Sequence, residues 1–179
     1  MQGGRLMWTP ALGVSAVIGA MNDMYDRLRA EWGPLGFPVA EERASGIRGV
    51  VVQNFQGGAT YWSADRGDRA VWGDIRKRWV AYGGEGGPLG VPVASEVGTG
   101  AGGAMTQFAG GRAYWHPGAG AHVVYGSILA TYLAAGGPTG RLGTPTSSEH
   151  DVPGGRANDF AGGMIRWHAA SGAVTITLR

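Results

Sequence analysis

The chain has no cysteine, which removes disulfides, thiolate metal sites and cysteine nucleophiles together. It is also short of charge. Charged residues make up 16% of it, where globular proteins usually carry about a quarter. The formal net charge is +2, and Arg76-Lys77-Arg78 is the only tight basic cluster. That is too sparse for the phosphate-facing patch nucleic acid requires. No uninterrupted apolar run reaches the roughly 18 residues of a membrane span. The opening Met1-Gln2-Gly3-Gly4 has neither the charged nor the apolar region of an export signal. Export would therefore need a signal that was removed or lies on another part of a longer chain. There is no Gly-x-Ser-x-Gly elbow, and the Gly-rich stretch 98–103 lacks the Gly-Lys-Ser/Thr ending of a phosphate loop. No enzyme, no cofactor and no metal centre is expected.

Glycine is abundant instead, with 35 copies in 179 residues. It shows no three-residue period, so collagen is excluded, and seven Trp with six Tyr argue against disorder. With 44% hydrophobic residues there is enough to bury a core. The glycines must therefore serve turns repeated many times. Four Gly-Gly pairs each precede a Trp at a fixed step: Gly3-Gly4 with Trp8, Gly57-Gly58 with Trp62, Gly110-Gly111 with Trp115, and Gly162-Gly163 with Trp167. Leu-Gly-x-Pro recurs at Leu35 to Pro38, Leu89 to Pro92 and Leu142 to Pro145. A Glu lies four residues beyond each of these prolines, as Glu42, Glu96 and Glu149. Phe55, Phe108 and Phe160 each sit two residues before a Gly-Gly pair. So many positions in register define a tandem repeat. Three full units, 3–56, 57–109 and 110–161, precede a partial unit, 162–179.

The Leu35-Gly36-Phe37-Pro38 signature, with the Phe-x-Gly-Gly-x-x-x-Trp junction, resembles the LGFP repeat family over nearly the whole chain. The resemblance implies an exported envelope protein of mycolic-acid-containing actinobacteria. In such proteins these repeats extend mycoloyltransferases and cell-wall hydrolases and are implicated in attachment to the peptidoglycan–arabinogalactan wall. It implies an extracellular or cell-envelope location and an elongated, stalk-like array. Its expected partners are cell-wall polysaccharide or peptidoglycan, with an upstream or separate envelope enzyme as a further partner.

Physically, one unit reads as α+β: short β-hairpins plus one helix. Val50 to Phe55 and Thr60 to Trp62 are β-prone runs joined by a Gly-rich link. Val17, Ile18, Met21, Met24, Tyr25 and Leu28 recur at helical spacing, as do Val71, Trp72, Ile75 and Trp79, and Val124, Tyr125, Ile128, Leu129 and Tyr132. Gly83-Gly84 and Gly136-Gly137 mark left-handed caps for the second and third helices. Arg29-Ala30 stands there in the first, whose helix is expected to continue to Trp32. Residues 173–178 alternate as a strand capping the array, which reads as a natural C-terminus. The absence of a Phe strand before Gly3-Gly4 points to a cut chain or to completion by another chain.

Two residue sets are candidates for ligand contact. Trp62 and Trp115 offer flat apolar faces for sugar rings, but a Trp at a fixed hairpin step reads first as core, together with Trp8 and Trp167. If they point inward, strand alternation turns Tyr61 and Tyr114 outward as the better sugar contacts. Glu42, Glu96 and Glu149 offer hydroxyl-binding carboxylates, though backbone N–H groups of their own turns are the expected partners. One unit apart, they do not form the paired acids of a glycosidase. Gly36, Pro38, Gly90, Pro92, Gly143 and Pro145, with the three Phe, are assigned to the framework. Amides of the Gly-Gly turns are a further candidate, as carboxylate-binding nests. His116, His122, His150 and His168 do not converge as metal ligands would. The expected function is non-catalytic attachment to the wall polymer. The rival readings are a structural stalk or interaction module, and less readily a wall hydrolase or esterase.

Overall fold

A computed structural model describes residues 3–100 and 102–179. Met1, Gln2 and Ala101, the last within the Gly-rich stretch 98–103, lie outside the described residues. The described residues form four antiparallel sheets, each a meander in chain order. The first has two strands, β1 (Gly4–Thr9) and β2 (Gly13–Ile18). The second runs β3 (Arg43–Ala44), β4 (Val50–Asn54), β5 (Gly58–Ser63) and β6 (Gly67–Trp72). The third runs β7 (Val97–Gly100), β8 (Gly103–Gln107), β9 (Gly111–His116) and β10 (Gly120–Tyr125). The fourth runs β11 (His150–Val152), β12 (Gly155–Phe160), β13 (Gly163–His168) and β14 (Val174–Leu178). Three helices of nine residues follow the first three sheets: α1 (Gly19–Arg27), α2 (Gly73–Ala81) and α3 (Gly126–Ala134).

The expected hairpins are present, but each gains a strand that the periodicity had assigned to the helix. Val17, Val71 and Val124 belong to β2, β6 and β10. They mimic helical spacing because each ends its strand on the face its own helix then covers. A left-handed Gly19, Gly73 or Gly126 turns the chain from strand to helix. Gly83 and Gly136 take the expected left-handed cap at φ 90° and 94°. The first helix does not continue to Trp32. Arg29 and Ala30 adopt the same positive φ despite their side chains, and residues 30–32 form a separate 3₁₀ turn. The fixed framework around the turn overrides the local preference.

Helices and sheets alternate as layers. Tyr61, Val50, Val52 and Val71 on one face of the second sheet pack with Ile75 and Trp79 of α2. Val51 and Trp72, on the opposite face, pack with the cluster built on Met21 and Tyr25 of α1. Each middle sheet is thus held between the helix before it and its own. The fourth sheet receives α3 on one face, through Ile165 and Phe160.

One ring on each helix ties the layers together. Tyr25, Trp79 and Tyr132 are fully buried and lie against Phe55, Phe108 and Phe160 at centroid distances of 5.0, 5.3 and 4.5 Å. Each ring also donates one hydrogen bond to the Leu-Gly-x-Pro glycine carbonyl. The Tyr25 hydroxyl reaches Gly36 at 2.9 Å, the Trp79 indole reaches Gly90 at 2.9 Å, and the Tyr132 hydroxyl reaches Gly143 at 2.7 Å. The prolines close the same knot, since Pro38, Pro92 and Pro145 bridge to Phe55, Phe108 and Phe160. The first glycine of each later Gly-Gly pair is required by close approach: a Cβ at Gly57, Gly110 or Gly162 would collide with the carbonyl of Pro34, Pro88 or Arg141.

Replacing Tyr132 by Phe removes only the hydrogen bond to Gly143 and is expected to cost about 1 kcal/mol. Tyr132→Ala also opens a cavity and should cost about 3–5 kcal/mol. Urea unfolding of both variants checks the ratio.

Candidate functional site

Wherever a helix leaves its own sheet and lies on the next, a groove opens at the seam, and three such grooves are equivalent in the repeat. The first lies between the start of α1 and the second sheet, with a volume of about 210 Å³. The second, between α2 and the third sheet, is about 260 Å³. The third, between α3 and the fourth sheet, is about 210 Å³. Each is lined by the first helical turn, by the last residue of the preceding strand, by one position on a sheet strand, by a Glu and by a Trp. The strand-end residues are Ile18, Trp72 and Tyr125, and the sheet positions are Val51, Ala104 and Arg156. The pairs are Glu42 with Trp62, Glu96 with Trp115, and Glu149 with Trp167. Two residue classes that look independent in the sequence therefore meet, and each pair combines the glutamate of one unit with the tryptophan of the next.

This reverses the expected roles of the strand aromatics. Tyr61 and Tyr114 are 5% and 2% exposed and pack edge-on against Trp79 and Tyr132, at 5.6 Å in both cases. They are core, and no sugar can reach them. Trp62 is 36% exposed, and Trp115 and Trp167 are half-buried at the groove walls. Alternation does separate Tyr from Trp, but both faces of the sheet are covered by helices. The Tyr face meets its own helix closely, whereas the Trp lies at the seam. Trp8 is not core either: it is 65% exposed on the open face of the first sheet.

The glutamates do not cap their own turns. Glu149 forms an ion pair with Arg156, and burial, followed by the charge of Glu149, pushes the Tyr125 hydroxyl up to about 12. Burial alone pushes the Glu96 carboxyl up to about 7, with no cation beside it. The first groove differs again, since it is the neighbouring Glu41 that accepts the Ala16 N–H, at 3.0 Å. Asp74 joins the second groove from the first turn of α2. It is held below the ordinary carboxylate value by the hydrogen bond and charge of Lys77, and by the Trp115 indole N–H.

The Gly-Gly turns are not anion nests. The amides of Gly57, Gly110 and Gly162 each donate at 2.8 Å to the carbonyls of Leu35, Leu89 and Leu142. His116 and His168 serve local turns and strands: His116 accepts from the Gly118 N–H at 3.2 Å, and His168 lies 3.0 Å from the Thr175 hydroxyl. Among the described residues no group of three or more His, Asp or Glu is placed to hold a metal ion, and no helix is long and apolar enough to cross a membrane. As groove residues, Asp74, Tyr125 and Arg156 were not legible in the sequence, where Tyr125 read as part of a helix face. Their signal was positional, since each stands one repeat away from a residue lining another groove.

Alternating sheets and helices with a repeated groove define a tandem-repeat array. A family model for the LGFP repeat matches residues 35–87, 89–140 and 142–178. The chain belongs to the LGFP repeat family. The matched repeats begin at the Leu of Leu-Gly-x-Pro, a different phase of the same period as the Gly-Gly frame. No curated protein matches the chain.

The raised Glu96 carboxyl gives a pH test. Its ordinary value of 4.5 in the unfolded chain rises to about 7 on folding, so the folded state holds the proton more tightly. The contribution of this group to stability should be greatest below pH 4.5 and fall as pH rises to about 7, then level off. Because the group is only half-buried, the full shift is not realised, and a loss of about 1 kcal/mol is expected. The difference between urea melts of the natural chain and of Glu96→Gln across this range should show that slope.

Proposed function

We propose that the chain is a non-catalytic binding module that attaches to the peptidoglycan–arabinogalactan polymer of the actinobacterial cell envelope. The observation that supports it best is the recurrence, in three equivalent grooves, of one indole beside one carboxylate. An indole offers the C–H face of a sugar ring an apolar surface, and a carboxylate accepts hydrogen bonds from hydroxyls. Such shallow sites bind weakly one at a time. A repeating polymer that engages several together gains avidity by a factor of about 10²–10⁴. The family membership supports a repeat module, and the choice of polymer and the envelope location follow the resemblance.

A second reading is a stalk or interaction module that positions a partner at the envelope. One observation favours it: the outward face of the first sheet carries Leu6 at 76% exposure, with Trp8, Val14 and Ile18 also exposed.

Sedimentation with purified actinobacterial walls separates these readings. Saturable binding is expected, and Trp62→Ala, Trp115→Ala and Trp167→Ala combined should weaken it at least tenfold. Loss on removing arabinogalactan by mild acid assigns the ligand to that polymer, and equal binding assigns it to peptidoglycan. No binding to either leaves the interaction module. Release of reducing ends would favour a hydrolase, with Asp74 and Glu96 the residues to substitute.

A further inference from the structure

The three grooves share a plan but not a charge. At the sheet position where the third groove places Arg156 against Glu149, the second has Ala104 and the first Val51. At the second helical residue the second groove has Asp74, where the others have Ala20 and Ser127. At the end of the preceding strand it has Trp72, where the others have Ile18 and Tyr125. The second groove alone therefore combines two indoles with two carboxylates. Lys77 is the cation beside Asp74, held at 2.8 Å on the exposed helix surface. Among the described residues none stands beside Glu96.

From this combination we infer that the second groove is a subsite for a primary ammonium group, while the third, already neutralised by Arg156, is not. This deepens the wall-binding reading by giving one of its three sites a ligand class. An ammonium is attracted to an indole face and gains further from an adjacent carboxylate. The positive end of α2 would oppose it, but Asp74 in the first turn offsets that end. Glu96, half-buried without a counter-charge, is stabilised in its ionised form by the arriving cation. In wall chemistry the ammonium has two sources, an unacetylated amino sugar or the side-chain amine of a peptide.

The test uses two probe pairs in which acetylation of the nitrogen removes its charge: glucosamine with N-acetylglucosamine, and Nα-acetyl-lysine methylamide with its Nε-acetylated counterpart. The readout is the indole N–H resonances of the whole chain, at constant ionic strength. The ammonium member should shift Trp72 and Trp115 at a concentration roughly fivefold lower than its acetylated partner, the size of a modest cation–π gain. At Trp167 the two members of each pair should act alike. Glu96→Gln should abolish the preference while retaining the fold, and Ala104→Arg should do the same by copying the third groove. Preference for glucosamine alone identifies an amino sugar, and preference for the lysine probe alone identifies a peptide amine. Equal shifts within both pairs, the same ammonium preference at Trp167, or an unchanged preference in Glu96→Gln would overturn the inference. The lysine pair contains no sugar, so the ammonium site is tested separately from carbohydrate binding. A failure of wall sedimentation with the ammonium preference intact would count against the wall-binding reading alone.

Discussion

Everything in this structure hangs on the aromatic ring at the centre of each helix and the carbonyl it holds. Tyr25, Trp79 and Tyr132 each pack on a Phe from the next hairpin and donate to the glycine of Leu-Gly-x-Pro. The ring thereby fastens three segments of chain in one step: its own helix, the turn that follows, and the strand entering the next sheet. The exchange of Tyr for Trp at position 79 keeps the same bond, with an indole N–H replacing a hydroxyl at the same 2.9 Å as in the first unit. A unit of about 53 residues encloses only a marginal core by itself. The ring makes the core a shared one, built from the face of one sheet, the helix after it and the hairpin of the next.

The grooves follow from that sharing. A helix fixed by its central ring lies on the next sheet, and its first turn stands away from the sheet where the Trp sits. The seam left open gathers residues from two units, which is why no single unit contains a complete site. It is also why the number of grooves matches the number of helices. The framework positions are held by packing and close approach. Positions 20, 51 and 18, with their equivalents, line the seam and differ between units in size and charge. Binding character can therefore vary along the array while the architecture repeats.

Much of this was legible in the sequence. The hairpins, the caps at Gly83 and Gly136, the closing strand of the fourth sheet and the recurrence of Trp and Glu could all be read from spacing. The facing of Tyr61 and Trp62 could not, because alternation separates two faces without saying which one meets a helix closely. A clue did exist. The position of Tyr61 and Tyr114 is filled by Arg166 in the unit that has no following helix, which marks that position as the helix contact. The helix starts were missed for a related reason: Val71, Ile75 and Trp79 are four apart and face one core, although Val71 is in a strand. The pairing of Glu96 with Trp115 was hidden because it joins separate units, and only the layered packing brings them together.

The central claim is that the indole and carboxylate of each seam face a common ligand. The most direct measurement is an intermolecular nuclear Overhauser experiment on the whole chain with oligosaccharides and muropeptides released from the wall. The account predicts contacts from the ligand to the indole protons of Trp62, Trp115 and Trp167, and none to the buried rings of Tyr61 and Tyr114. Contacts confined to the open face of the first sheet, or none at any of the three indoles, would contradict it.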